Sequence, residues 1–135
     1  MKIAIPVWEN KVSPVLDTAS RLLVVELKEG SKTSRFEIHL DERDLIKRCL
    51  RIQGLGIDTL LCGAVTRYFS DMLRTSGINI VPGFSGRPDE VLDACFEGNL
   101  GQGEFLMPGW NKEHIQEQLD SLNFKGLYRP KLDAD

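Results

Sequence analysis

The chain has 135 residues, 41% of them hydrophobic and 27% charged, with a formal net charge of -3 from 17 basic and 20 acidic side chains. This is the make-up of one ordinary globular domain, able to bury about two-thirds of its unfolded surface, so neither metal nor disulfide is needed merely to fold it. The small, mixed charge offers no basic stripe and argues against a nucleic-acid partner. No apolar run reaches membrane length, and Met1 to Val7 is too short and too soon interrupted for a signal peptide, so a cytoplasmic protein is expected.

In chain order, Lys2 to Val7 is an apolar, β-branched run that suits a buried first strand, and Leu22 to Leu27 is a second. The connection between them, Trp8 to Arg21, is longer than a hairpin loop needs, and such loops often carry function. Turn residues Glu29 to Lys32 lead into a half-exposed third strand, Thr33 to Leu40. From Asp41 the period becomes helical: Leu45, Ile46, Cys49, Leu50 and Ile52 share a face, Asp41 or Glu42 serves the N-terminus, and Gly54 and Gly56 stop it.

A fourth strand, Asp58 to Cys62, ends at Gly63, and Thr66 caps a second helix running to about Ser76. Ile78 to Val81 is the last strand, and Pro88, with Asp89 and Glu90 in the first turn, opens a third helix ending at Gly98. Beyond Leu100, Gly101 to Gly103 and Pro108 to Trp110 precede a final helix, Lys112 to Asn123, carrying Ile115, Leu119 and Leu122 on one side. The order predicts an α/β domain over 1–100 with a mixed sheet between two helical layers, and a one-helix C-terminal extension over 101–135.

Ligands in open α/β sheets favour the carboxyl ends of parallel strands where connections diverge. That rule sets the loop from Trp8 to Asp17 against the turn Cys62-Gly63-Ala64-Val65-Thr66, with a crevice between them. Gly63 permits close backbone approach, the first N–H groups of the following helix attract anions, and Arg67 could add charge; the same small residues also serve tight packing. Cys62 is either a soft ligand at the crevice or a small core residue. Cys49 and Cys95 sit on apolar helix faces and read as core, while His39 and His114 read as surface residues. The three thiols form no C-x-x-C pair, so they are expected to be reduced, and any metal must be held by residues the fold assembles or by sulfur the cofactor brings. Glu9 and Asp17 are the one carboxylate pair near the crevice, although Asp17 to Ser20 also reads as a capped turn.

Met-Lys-Ile-Ala-Ile-Pro-Val at 1–7, Val-Ser-Pro-Val-Leu-Asp at 12–17, Leu-Leu-Cys-Gly-Ala-Val at 60–65 and Ser-Gly-Ile-Asn-Ile-Val-Pro-Gly-Phe-Ser-Gly at 76–86 resemble the dinitrogenase iron-molybdenum cofactor biosynthesis family, over roughly residues 1 to 100. The resemblance implies a three-layer α/β/α, ribonuclease H-like fold, with a five-stranded mixed sheet of order 3-2-1-4-5 and strand 2 antiparallel. It also implies a non-catalytic binding or carrier protein for an iron-sulfur or iron-molybdenum type cofactor or its precursor, working with cofactor-assembly proteins. The expected cofactor-binding residues are Cys62, Gly63, Ala64, Thr66, Ser13 and Asp17, with Cys62 the metal ligand. Many members carry a histidine after the Ser-Pro of the first loop, often as His-Phe-Gly; here Ser13-Pro14 is followed by Val15-Leu16-Asp17. That departure supports the alternative of a diverged, metal-free interaction or regulatory domain, with self-association through the C-terminal extension. A nuclease is the poorest fit, because the first strand carries no carboxylate for metal ions.

Overall fold

The computed structural model describes residues 1–28, 31–97 and 105–121. The turn residues at 29–30, the stop at Gly98, the glycines at 101 and 103, and the end of the last helix beyond Ser121 lie outside the described residues.

Strand β1 (Lys2–Trp8) is apolar on both faces because it runs through the middle of the sheet. Ile3, Ile5 and Val7 enter one hydrophobic cluster, while Ala4 enters the other. A tight turn returns the chain as the two-residue β2 (Lys11–Val12), followed by a 3-10 turn at Leu16–Thr18 and then β3 (Arg21–Lys28) and β4 (Ser31–His39). Strand β3 pairs antiparallel with both β1 and β4, with a register shift between Glu26 and Leu27. After helix α1 (Leu45–Gly54), strand β5 (Thr59–Leu61) lies parallel to β1. Helix α2 (Arg67–Thr75) then leads to β6 (Asn79–Val81), parallel to β5 and followed by α3 (Pro88–Glu97).

The path β4-β3-β1-β5-β6 carries the expected order of five strands. The sheet differs in detail: among the described residues it has six strands, the sixth being β2, which pairs with β1 through Val7 and Val12 and through Trp8 and Lys11. Two residues of Lys and Val have no periodicity to read, so only the returning chain defines this strand. The side chains of β1, β3 and β5 divide between two cores. Cys49 and Ile52 of α1 with Phe69 and Leu73 of α2 close one of them, and Val91, Leu92 and Cys95 of α3 with Ile115 close the other.

Helix α1 departs from its expected face and cap. Arg48, Cys49 and Ile52 are its buried residues, whereas Ile46 and Leu50 are 55% and 60% exposed. At about 100° per residue, positions 45, 48, 49 and 52 form a single stripe, and 46 and 50 fall off its flank. Asp44, not Asp41 or Glu42, is the cap: its side chain accepts from Ile46 N at 2.8 Å and Lys47 N at 3.1 Å. It stands immediately before the first helical residue, where a short carboxylate reaches the free N–H groups.

The segment after residue 104 is laid back on the domain. Phe84 and Leu106 form an antiparallel bridge, Ser85 N donates to Phe105 O at 2.8 Å, and Met107 N donates to Gly83 O at 2.7 Å. Helix α4 (Lys112–Ser121) follows, with Asn111 Oδ1 accepting from Glu113 N and His114 N and with Ile115 fully buried.

Candidate functional site at the carboxyl edge of the sheet

The carboxyl ends of β1, β5 and β6 bring together the segments 12–17, 62–66 and 83–87. The expected crevice between the first two is closed by backbone. Val15 and Ala64 form a parallel bridge, in which Ala64 N donates to Pro14 O and Leu16 N donates to Ala64 O, both at 2.8 Å. Gly63 is needed for this approach: a Cβ there would stand 2.8 Å from the carbonyl oxygens of Ser13 and Pro14. On its other side Gly63 O accepts from Gly83 N at 2.9 Å, and Cys62 O accepts from Phe84 N at 3.0 Å.

Ser13, Asp17, Gly63, Ala64 and Thr66 are therefore brought together as expected, but largely by bonds to one another. Thr66 N donates to Asp17 Oδ1 at 3.0 Å and Thr66 Oγ1 donates to Asp17 Oδ2 at 2.5 Å, while Thr66 Oγ1 accepts from Phe69 N. The carboxylate thus sits at the positive end of α2, and Thr66 caps that helix as its sequence suggested. Both oxygens of Asp17 are engaged, which disfavours it as a hard metal ligand. Glu9, at a positive φ of 55° beyond the end of β1, lines a different cleft with Arg35, Arg87 and Asp89, so the Glu9 and Asp17 pair is not assembled.

Cys62 points away from this edge. Its side chain is fully buried in the cluster that contains Ala4, Leu16, Phe69 and Leu73. Burial pushes its thiol up from 9.0 to about 12, with Asp17 reinforcing the rise and Arg74 opposing it. Burial pushes Cys95, across the sheet, up to about 12 as well. A neutral thiol closed off by core side chains is a poor ligand, since the thiolate is the species that binds metal. The expectation of Cys62 as an accessible soft ligand is therefore corrected: successive residues of β5 alternate between the two cores, and position 62 falls inward with Leu60.

The three thiols are all buried, Cys49 and Cys62 on one side of the sheet and Cys95 on the other. Among the described residues, no group of three His, Cys, Asp or Glu is placed to hold a metal ion, and His39 and His114 are exposed and separate. The chain's own side chains thus do not fit a thiolate-ligated iron-sulfur cluster.

Trp8, Trp110 and the amphipathic last helix read in the sequence as a contact surface for the interaction-domain alternative, but the sequence did not place Trp110 at this edge. Its ring covers Gly83, where a Cβ would come within 2.6 Å of Cδ2, and Gly83 has a φ of +102°. Trp110 remains 38% exposed, Val15 37% and Trp8 55%, so the edge is apolar as well as closely knit. The one hint in the sequence was Pro108-Gly109 before the tryptophan, a turn that folds the segment back.

No family model and no curated protein matches the chain. Solved structures do. A protein from Methanocaldococcus jannaschii named "putative dinitrogenase" superposes with a TM-score of 0.61 at 20% identity, covering 73% of this chain and 90% of the other. The apo form of the orange protein of Desulfovibrio gigas gives 0.61 at 16% identity, covering 78% and 95%. A Thermotoga structure named "putative NifB protein" gives 0.58 at 19%, covering 73% and 89%. Identities this low establish a shared fold, and the neighbours are consistent with the resemblance carried by the four sequence motifs.

Proposed function

We propose that this chain is a non-catalytic binding or carrier protein for an iron-sulfur or iron-molybdenum type cofactor or its precursor, one that brings its own sulfur ligands. The observation behind this reading is the fold it shares with nitrogenase-related structures and with a protein solved in an apo form, together with motif matches that run through β1, β5 and β6. The ribonuclease H-like assignment belongs to the same proposal and is supported by the path of the five longer strands. With its thiols buried, the chain would hold such a cargo by backbone N–H groups and by the apolar edge around Val15, Gly63, Ala64 and Trp110. No bond from Cys62 is required.

The test is anaerobic purification from iron-replete cells, with iron, molybdenum and acid-labile sulfide measured per chain in wild type and Cys62→Ala. Metal with sulfide, retained in the variant, is the expected result. Metal-free protein that also resists reconstitution would overturn the carrier reading.

The second reading, a metal-free interaction domain, is favoured by one observation: Trp8 and Trp110 both present aromatic surface to solvent. Cofactor-assembly proteins, or a second copy of the chain engaging the C-terminal extension, are the partners such a surface would serve.

A further inference from the structure

Arginine is almost never fully buried without a carboxylate in contact. Arg48 is only 4% exposed, on the inner stripe of α1. Its Nη1 donates to Ala19 O, its Nε is buried with no partner, and among the described residues it makes no ion pair. Of the nearby carboxylates, Asp17 has both oxygens taken by Thr66 and Glu42 has Oε2 taken by Arg51 Nη1 at 3.1 Å, while Glu42 Oε1 is buried without a hydrogen-bond partner, as Arg48 Nε is. Burial lowers the Arg48 pKa, with Glu42 and Asp17 offsetting this from a distance. The guanidinium is left with donors that a fork-shaped acceptor could use.

Arg48 also lines a cavity of about 470 Å³ between the 17–20 loop, residues 40–43 and α1. Arg43, exposed and with no partner among the described residues, supplies a second guanidinium, and Thr18 and Ser20 bring neutral hydroxyl groups. The lining also carries two carboxylates, Asp17 and Asp41, which balance the two guanidinium groups, so the cavity favours a singly charged guest held by directed hydrogen bonds over a multiply charged one.

We propose that this cavity binds a small anion with paired acceptor oxygens, a carboxylate or a tetrahedral oxyanion, held between Arg48 and Arg43. The proposal goes beyond the carrier reading and needs no metal. Holding Ala19 alone uses one N–H of five, a task a lysine could also perform; binding a paired acceptor uses the planar fork, which a lysine lacks.

The experiment is a titration of the whole chain with sodium acetate and, separately, with sodium phosphate near pH 6. Ionic strength is held constant with sodium chloride, and binding is followed by amide chemical shifts. Saturable shifts confined to residues 17–20 and 40–48 are expected, and Arg48→Lys and Arg43→Ala should each weaken binding by about tenfold. Arg67→Ala, outside the cavity, should leave it unchanged. Saturation by acetate alone assigns a carboxylate, and by phosphate alone an oxyanion. If Arg48→Lys fails to fold, the exposed Arg43→Ala still decides. No saturable shift with either anion, or an affinity unaltered in every folded variant at 43 and 48, would overturn the proposal.

Discussion

Asp17 and Thr66 are 49 residues apart, yet the Asp17 carboxylate receives both the backbone N–H and the hydroxyl of Thr66. One side chain thus ties the loop after β2 to the first turn of α2, in the position where a negative charge meets the helix dipole. Asp17→Asn should destabilise the fold by about 1–2 kcal/mol, as loss of a charge-assisted pair at a helix start does. Urea unfolding of Asp17→Asn, Thr66→Val and the double variant checks this. Strictly additive losses would mean that the two residues do not act as a pair.

Gly63→Ala should cost about 2–3 kcal/mol, because the new methyl meets two backbone oxygens of Ser13 and Pro14 that cannot rotate away. Gly54→Ala is the control. Nothing stands within 4 Å of a Cβ there, at the last residue of α1, and a gain of about 0.4–1 kcal/mol is expected from the less flexible unfolded chain. Denaturant midpoints of the two variants should move in opposite directions.

Gly83→Ala should dislodge Trp110, since the added carbon would overlap the indole and the backbone there has a φ of +102°. The chain contains two tryptophans, so a Trp8→Phe background leaves Trp110 as the only indole emitter. Its fluorescence should shift to the red in Gly83→Ala, and protease cleavage after residue 104 should quicken. An unchanged spectrum would mean that the ring does not rest on Gly83 in solution.

The buried thiols make a pH-dependent contribution. Cys62 and Cys95 are pushed from 9.0 to about 12 in the folded chain, so between those values the unfolded state releases protons that the native state keeps. Stability is undiminished well below pH 9 and falls as pH rises toward 12, the slope steepening to about 1.4 kcal/mol per pH unit for each thiol midway between those values. Chemical denaturation at pH 8, 9 and 10 should show the decline, and a Cys62→Ala, Cys95→Ala protein should show a flatter one. At pH 8 native thiols should resist a disulfide reagent that modifies all three cysteines in denaturant.

The regular elements were legible because their signals are local. The apolar run at 22–27, the cap at Thr66 and the proline at 88 all stand at or beside the elements they announce. The edge was only half legible. Sequence set the whole loop from Trp8 to Asp17 against the turn 62–66, and the fold brings only its later part, 13–17, onto that turn; whether two loops leave a crevice or join by a backbone bridge depends on a few ångströms of approach that no periodicity encodes. Cys62 was ambiguous for a related reason, as an apolar strand covered on both faces shows no alternation to say which way a residue points. Arg48 was hidden by its charge. The helical stripe was drawn through Ile46 and Leu50 because they are apolar, whereas the fold buries the arginine instead.

The bridge between Val15 and Ala64 also sets an order of assembly. The short hairpin contacts among β1, β2 and β3 close small loops, while the partners of the 62–66 turn come from the far N-terminal segment and must wait for a larger loop to close. The aspartate that meets the start of α2 belongs to the segment between β2 and β3, which the strand pairing of β1 with β2 and β3 holds in place. During synthesis the N-terminal hairpins can therefore be waiting when residue 66 emerges, so the long-range clasp between Asp17 and Thr66 would be fastened late, as the second half of the sheet docks onto the first.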